Sequence, residues 1–246
     1  MTDPNRKDPI LWIPGFMQDA RLFLPQIVAL GAGRGMQVAL PTDHDTVEAI
    51  SAEILAHAPE RFVLVGQGLG GDVALDILRR APERVTRLCL IAAEPLAEPP
   101  QVAAAREAGI VAVRAGRLVE VMRDEVPPSV LADTPWRGEV LALLRDMAEN
   151  LGEGVYIRQT RALQRRPDQQ KTMRRVKVRA LILSGEADAL AAQRRAEFTA
   201  GLMPFGKLQR IAGAGHLPSL EQPEAVTAAL EAFLSGPVLK IGRAHV

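Results

Sequence analysis

The sequence predicts an α/β protein: a mostly parallel sheet of about six strands with helices on both faces and one helical insertion. Three observations carry this. Short apolar runs of strand length alternate with segments whose apolar residues recur at helical spacing. The central runs are apolar throughout rather than alternating, as strands buried on both faces are. One long stretch, 95–175, has helical spacing only.

The elements follow in order. Ile10-Leu11-Trp12-Ile13 reads as a first strand, and Leu22 to Leu30 as a helix. Met36 to Leu40 is the second strand, and Val47 to Ala58 a helix with Val47, Ile50, Ile54 and Leu55 on one face. Phe62-Val63-Leu64-Val65 is the third strand, and Asp72 to Arg80 the helix after it. Val85 to Ala92 follows, with Leu88, Leu90 and Ile91. Beyond the helical stretch, Ala180 to Leu183 and Lys207 to Ile211 are strands, and Ala191 to Leu202 and Pro223 to Leu234 are helices. Within the insertion, Val140, Leu141, Leu144, Met147, Ala148 and Leu151 share a face that Gly152 and Gly154 end. Pro95, Pro99-Pro100 and Pro127-Pro128 punctuate it. The expected organisation is a core of residues 1–94 and 176–240, with a helical cap of 95–175 over the carboxyl edge of the sheet. Residues 241–246 resemble a translated sequencing adapter and are expected to be non-native, so His245 enters no site.

Composition excludes little but points one way. With 246 residues and 48% hydrophobic content, one well-filled core is expected. A net charge of +1 gives no pull toward nucleic acid or membrane. No apolar run reaches the roughly 18 residues of a membrane span, and the first residues are polar, so neither a span nor a signal peptide is expected. The single cysteine, Cys89, fits a reducing cytoplasm.

The chemistry centres on the turn Gly66-Gln67-Gly68-Leu69-Gly70-Gly71, set between a buried strand and a helix. Gly66, Gly68 and Gly71 also fit the spacing of a dinucleotide loop. The next strand, however, carries its only acid beyond its end, at Glu94, and such a loop follows the first strand of a sheet rather than the third. Downstream, Leu181 to Asp188 is a strand followed by a turn carrying Asp188, and Ile211 to Pro218 a strand followed by a Gly-lined loop carrying His216. Upstream, Ile13-Pro14-Gly15-Phe16 leaves the first strand.

These segments resemble, from Ile10 to Leu234, the α/β-hydrolase family, and within it small bacterial esterase-like members with a helical cap. The turn Ala81-Pro82-Glu83-Arg84-Val85 and the run Leu220 to Val226 strengthen the likeness. The resemblance implies a nucleophile elbow at Gly66–Gly70, with order nucleophile, acid, histidine. His216 would be general base and acid, Asp188 would orient it, and the N–H groups of Phe16 and Leu69 would form the oxyanion hole. The family's serine position is held by Gly68, a vacant nucleophile position. No cofactor, metal, nucleic acid or membrane partner is implied; the expected ligand is a small apolar ester or a related small molecule.

Other polar residues are expected to be structural. Glu186 is a rival to Asp188 in the same turn. Ser184, Cys89 and Ser219 lie off the elbow, so none can replace the hydroxyl. His44 in Thr42-Asp43-His44-Asp45 reads as a solvated turn rather than a metal cluster, and His57 as surface. The basic stretch Arg158–Arg179, with Asp168 its only acid, reads as a solvated helix face, with attraction of an anionic substrate as the alternative. Met122, Met147, Trp136 and Phe205 read as core or pocket filler.

Four functions stay open on this reading: an esterase-lineage protein inactive or very weak for want of its serine, a cofactor-free His/Asp general-base catalyst of lyase type, a small-ligand-binding pseudo-hydrolase, and an ordinary serine esterase in which one base change has replaced the serine codon at Gly68.

Overall fold

The computed structural model describes residues 7–94, 96–188 and 193–237; Pro95, residues 189–192 and the suspected tail 241–246 lie outside the described residues. Six strands form one parallel sheet: β1 (Ile10–Ile13), β2 (Met36–Val38), β3 (Phe62–Gln67), β4 (Val85–Ile91), β5 (Arg179–Gly185) and β6 (Gly206–Ile211), ordered β2-β1-β3-β4-β5-β6. Strand order reverses between β1 and β3. The carboxyl ends of those two strands therefore open a crevice that neighbouring crossovers cannot fill.

Period-two side chains divide the core into two layers. Leu11, Ile13, Leu64, Leu88 and Ile182 point to the face covered by α2 (Val47–His57), α3 (Leu69–Arg80) and α8 (Gln193–Leu202). Ile10, Trp12, Val63, Val65, Cys89 and Leu183 point to the face covered by α1 (Leu24–Leu30) and α10 (Pro223–Ser235), which bring Ile27, Val226, Leu230 and Phe233. β3 and β4 are buried along their whole length, which is why Phe62 to Val65 and Leu88 to Ile91 read as unbroken apolar runs.

The chain between β4 and β5 is helical: α4 (Pro100–Arg114), α5 (Leu118–Glu125), α6 (Arg137–Gln164) and α7 (Gln170–Met173). Ile110, Val113, Leu118, Met122, Ala148, Val155 and Tyr156 form a separate apolar cluster there, and Met17 from the β1 loop joins it. Gly152 ends the first half of α6, as its spacing implied, with φ 79° and ψ 175°; helix resumes at once and carries Val155 to Leu163 inward.

Some boundaries differ from expectation. The helix expected from Leu22 begins as a 3-10 turn, Ala20–Phe23, capped by Asp19, and becomes α-helical only at Leu24. Pro25 explains this, because proline is accommodated in the first helical turn and not inside a helix. β2 stops at Val38, short of Leu40, although Ala39 still donates to the Trp12 carbonyl at 2.9 Å. Trp136 and Phe205 are not core: they are 40% and 50% exposed. Trp136 keeps its indole N–H on the Glu221 carbonyl, and Met203 rather than Phe205 is buried before β6. Met122 and Met147 are buried. No described helix is long and apolar enough to cross a membrane.

Candidate active site

β3 runs through Gly68 directly into α3, and Gly68 has φ 51° and ψ −120°. A residue with a Cβ held there carries roughly 1–3 kcal/mol of backbone strain, which glycine avoids. Gly70 is required for a different reason: a Cβ on it would collide with the carbonyls of Ile13 and Pro14. That close approach sets the β1 loop against the elbow.

His216 lies in the loop after β6, and its Nδ1 is 3.2 Å and 3.3 Å from the two carboxylate oxygens of Asp188, which follows β5. The Asp188 side chain is fully buried, whereas Glu186 is exposed. The imidazole is thereby held with Nε2 free for other work. A carboxylate that sequence reasoning did not single out holds this loop. Glu221 is 1% exposed and accepts the N–H groups of Gly215 and Leu217, both at 2.9 Å, and of Ala132 at 2.6 Å. The His216 N–H itself donates to Val130 at 2.9 Å.

The loop after β1 is a tight turn, in which the Gln18 N–H donates to the Gly15 carbonyl and the Gly15 N–H to the Gln18 side chain. Met17 has φ 53°, unusual for a residue with a side chain. Its N–H donates to Gln159 of α6, and Phe16 meets the edge of the Tyr156 ring at 5.3 Å between centroids. The N–H groups of Phe16 and Leu69 have no acceptor among the described residues.

Gly15, Phe16, Gln67, Gly68, Leu69, His216 and Leu217 line a cavity of about 350 Å³ together with Val102, Arg106, Glu125, Val126, Leu163 and Arg166 from the insertion between β4 and β5. Among the described residues that line it, none carries a hydroxyl or a thiol. Its far wall is a chain of alternating charge. Arg195 pairs with Glu94 at 3.0 Å, Arg166 stands 3.6 Å from Glu94 and 3.3 Å from Glu98, and Arg106 pairs with Glu98. Asp72, on the first turn of α3, is buried with its carboxylate 3.6 Å from the Arg166 guanidinium. Burial pushes its carboxyl up to about 7, with Glu94 and Glu98 adding to the shift and Arg166 opposing it.

The remaining sequence candidates lie elsewhere. Ser184 is buried, and among the described residues its hydroxyl reaches the Gly185 carbonyl. Ser219 donates to the Gln67 side chain. Cys89 is buried in β4, which pushes its thiol up and away from thiolate chemistry. His44 is exposed beside Glu53 at 2.9 Å, and no group of three or more possible metal ligands exists among the described residues. His57 is exposed. The basic stretch divides: Arg161 and Arg165 pair outward with Glu107 and Asp45, Arg158 donates to the Thr42 carbonyl, and Arg166 turns into the cavity.

The model of the alpha/beta hydrolase family matches residues 10–229. A pimeloyl-[acyl-carrier protein] methyl ester esterase of Aromatoleum aromaticum is 29% identical over 213 residues, 80% of this chain and 83% of that protein. One from Neisseria meningitidis is 25% identical over 200 residues, 77% of this chain and 76% of that protein. Among solved structures, a thermophilic esterase from Thermogutta terrifontis superposes with a TM-score of 0.82 at 24% identity, covering 92% of this chain and 89% of that one. MenH from S. aureus superposes with a TM-score of 0.80 at 18% identity, covering 95% and 96%. At these identities the structural likeness is one of fold.

Proposed function

The chain belongs to the alpha/beta hydrolase family, and from that premise we propose that it is an esterase-type protein that takes a small ester and acts on it without an acyl-enzyme. The observation that carries this reading is the pairing of His216 with Asp188 beside an elbow that has no hydroxyl. The curated relatives named above are methyl ester esterases, which favours a small ester as the ligand class. The insertion between β4 and β5 acts as the cap that roofs the cavity, contributing Val102 of α4, Val126 just after α5 and Leu163 of α6 as its apolar lining.

The chemistry follows from the positions. A water seated above Gly68 gives a proton to His216 Nε2 and attacks the ester carbonyl. The oxyanion that forms is met by the N–H groups of Phe16 and Leu69, and Asp188 stabilises the imidazolium. His216 then returns the proton to the departing alkoxide, leaving the acid and the alcohol. Turnover is slow, since losing a triad nucleophile costs around a millionfold and leaves about 10³–10⁴ over water.

p-Nitrophenyl butyrate hydrolysis, read together with labelling by a fluorophosphonate probe, tests the reading. Turnover without a burst, without labelling, and abolished in His216→Ala is the expected result. Stoichiometric labelling would reveal a nucleophile and overturn it.

A further inference from the structure

α3 starts at the elbow and ends, twelve residues on, beside a second depression. At 1.5 Å per residue the two lie about 18 Å apart along the helix. This groove measures about 600 Å³ and is lined by the last turn of α3, the Pro82-Glu83 turn, α7 and the segment that leads into β5. It shares no lining residue with the cavity at Gly68. Its floor is apolar: Leu78, Val176 and Val178 line it and are each at most 6% exposed. Its rim is cationic, with Arg79, Lys171, Arg175 and Lys177 set against Glu83 as the one lining carboxylate.

The fold itself accounts for some of these charges. Arg79 and its neighbour Arg80 stand in the last turn of α3, where the helix dipole favours a cation, and both donate to Asp76. Lys171, Arg175 and Lys177 have no such employment. They are exposed, and their side chains make neither an ion pair nor a hydrogen bond among the described residues. Glu83 offsets one of the three and leaves a surplus. The wall of the cavity at Gly68 differs, since its arginines and carboxylates are paired with one another. Cations crowded at one rim repel each other, and a bound anion relieves that repulsion.

We infer that this groove is a binding site for a small amphipathic organic anion. The aliphatic or aromatic body of the ligand lies on Leu78, Val176 and Val178, and its anionic group meets Lys171, Arg175 and Lys177. The volume is that of a small-molecule site. A docked protein would need an apolar centre to its patch, and no large apolar side chain stands exposed at this rim among the described residues. The apolar surface lies instead at the bottom of the groove, where a narrow ligand reaches it and a flat partner does not. A bare inorganic anion would gain the rim and leave the floor unused.

1-Anilinonaphthalene-8-sulfonate and N-phenyl-1-naphthylamine share an aromatic body and differ by the sulfonate, so fluorescence titration of the full chain with each separates floor from rim. Expected are saturation by the sulfonate at one molecule per chain and binding of the neutral amine at least about tenfold weaker. The triple change Lys171→Gln, Arg175→Gln and Lys177→Gln should weaken the sulfonate by at least about tenfold and, because the three side chains are exposed, melt with the parent. Amide shifts in the unaltered chain give the location without any variant: the sulfonate should move Leu78, Val176 and Val178 and leave Gly68 and His216 in place. Shifts gathered at Gly68 and His216, equal affinity for the two probes, or an unchanged affinity in the triple variant would each overturn the inference. Co-sedimentation with phosphatidylglycerol vesicles, in a chain that binds no monomeric sulfonate, would overturn it too and make the rim a membrane contact. None of these readouts uses ester turnover, so their outcome leaves the hydrolytic reading untouched.

Discussion

The side-chain carbonyl of Gln159 accepts the backbone N–H of Met17 at 2.7 Å, tying the loop after β1 to the second half of α6. Gln159 is fully buried, and its amide nitrogen donates to the Pro41 carbonyl at 3.0 Å. One side chain from the helical insertion thus pins two loops at the carboxyl edge of the sheet. The first of these loops carries the Phe16 N–H in a turn where Met17 holds a strained positive φ.

Gln159→Leu should therefore cost stability and disorder the turn. It leaves the Met17 N–H and the Pro41 carbonyl buried without partners, at about 1–3 kcal/mol each. In a chain of this size Tm falls by about 2–4 °C for each kcal/mol lost. Thermal melts of the variant check this, and an unchanged Tm would show that the turn holds itself.

Gly68→Ser should raise esterase turnover by at least about a thousandfold if the Phe16 and Leu69 N–H groups are correctly placed. The same change should lower stability by roughly 1–3 kcal/mol, because φ 51° is costly for any residue with a Cβ. The space above Gly68 is open, so strain and not collision sets the loss. Paired measurements of p-nitrophenyl butyrate turnover and Tm check both halves. A variant that folds but stays inert would show a pocket that has moved away from hydrolysis.

Glu221→Gln should destabilise the His216 loop. The carboxylate accepts three backbone N–H groups, two of which flank His216. An amide presents one acceptor oxygen, and its NH₂ group faces a donor. The expected loss is about 3 kcal/mol, at the scale of breaking a buried charged hydrogen-bond set. Hydrogen exchange at Gly215 and Leu217 should rise in the variant; protection equal to the parent chain would rule out the clamp.

Asp72 predicts a pH dependence with a definite sign. Its folded carboxyl titrates near 7 against an ordinary value of 3.8, so the native state binds the extra proton between those values. Stability therefore falls as pH rises through that window, by an amount on the order of a few kcal/mol, and the contribution is flat above it. Asp72→Asn keeps the shape without the charge. Denaturant titrations of both chains from pH 4 to 8 should show the difference between them growing in favour of the variant. A constant difference would mean that Asp72 is ionised throughout, held by Arg166.

The strands and the elbow were legible because their causes are local. An unbroken apolar run followed by closely spaced glycines leaves few alternatives to a buried strand and a sharp turn, and both faces of β3 and β4 are covered. Asp188 and His216 were legible because each follows a strand, and the parallel order brings those strand ends to one edge. The edge strand β2 and the start of α1 were less so, since pairing on one side only and a single proline shifted their ends. Phe205 misled because large apolar residues are ordinary on surfaces, whereas Trp136 lines a surface pocket with Leu220 and Pro223.

By itself the sequence determined the α/β alternation, the Gly-rich turn between β3 and α3 and the place of Asp188 and His216 after successive strands, because periodicity, turn chemistry and chain order are properties of neighbouring residues. Only the tertiary structure decided that Gln159 holds Met17, that Glu221 clamps the His216 loop, and that Arg166 alone of its basic stretch turns inward to Asp72, Glu94 and Glu98. A buried polar group must find its partner wherever the packed chain places one. Nothing in the local pattern around Gln159 names a residue at the far end of the chain, and burial, which makes the pairing obligatory, exists only once the helices have closed over the sheet.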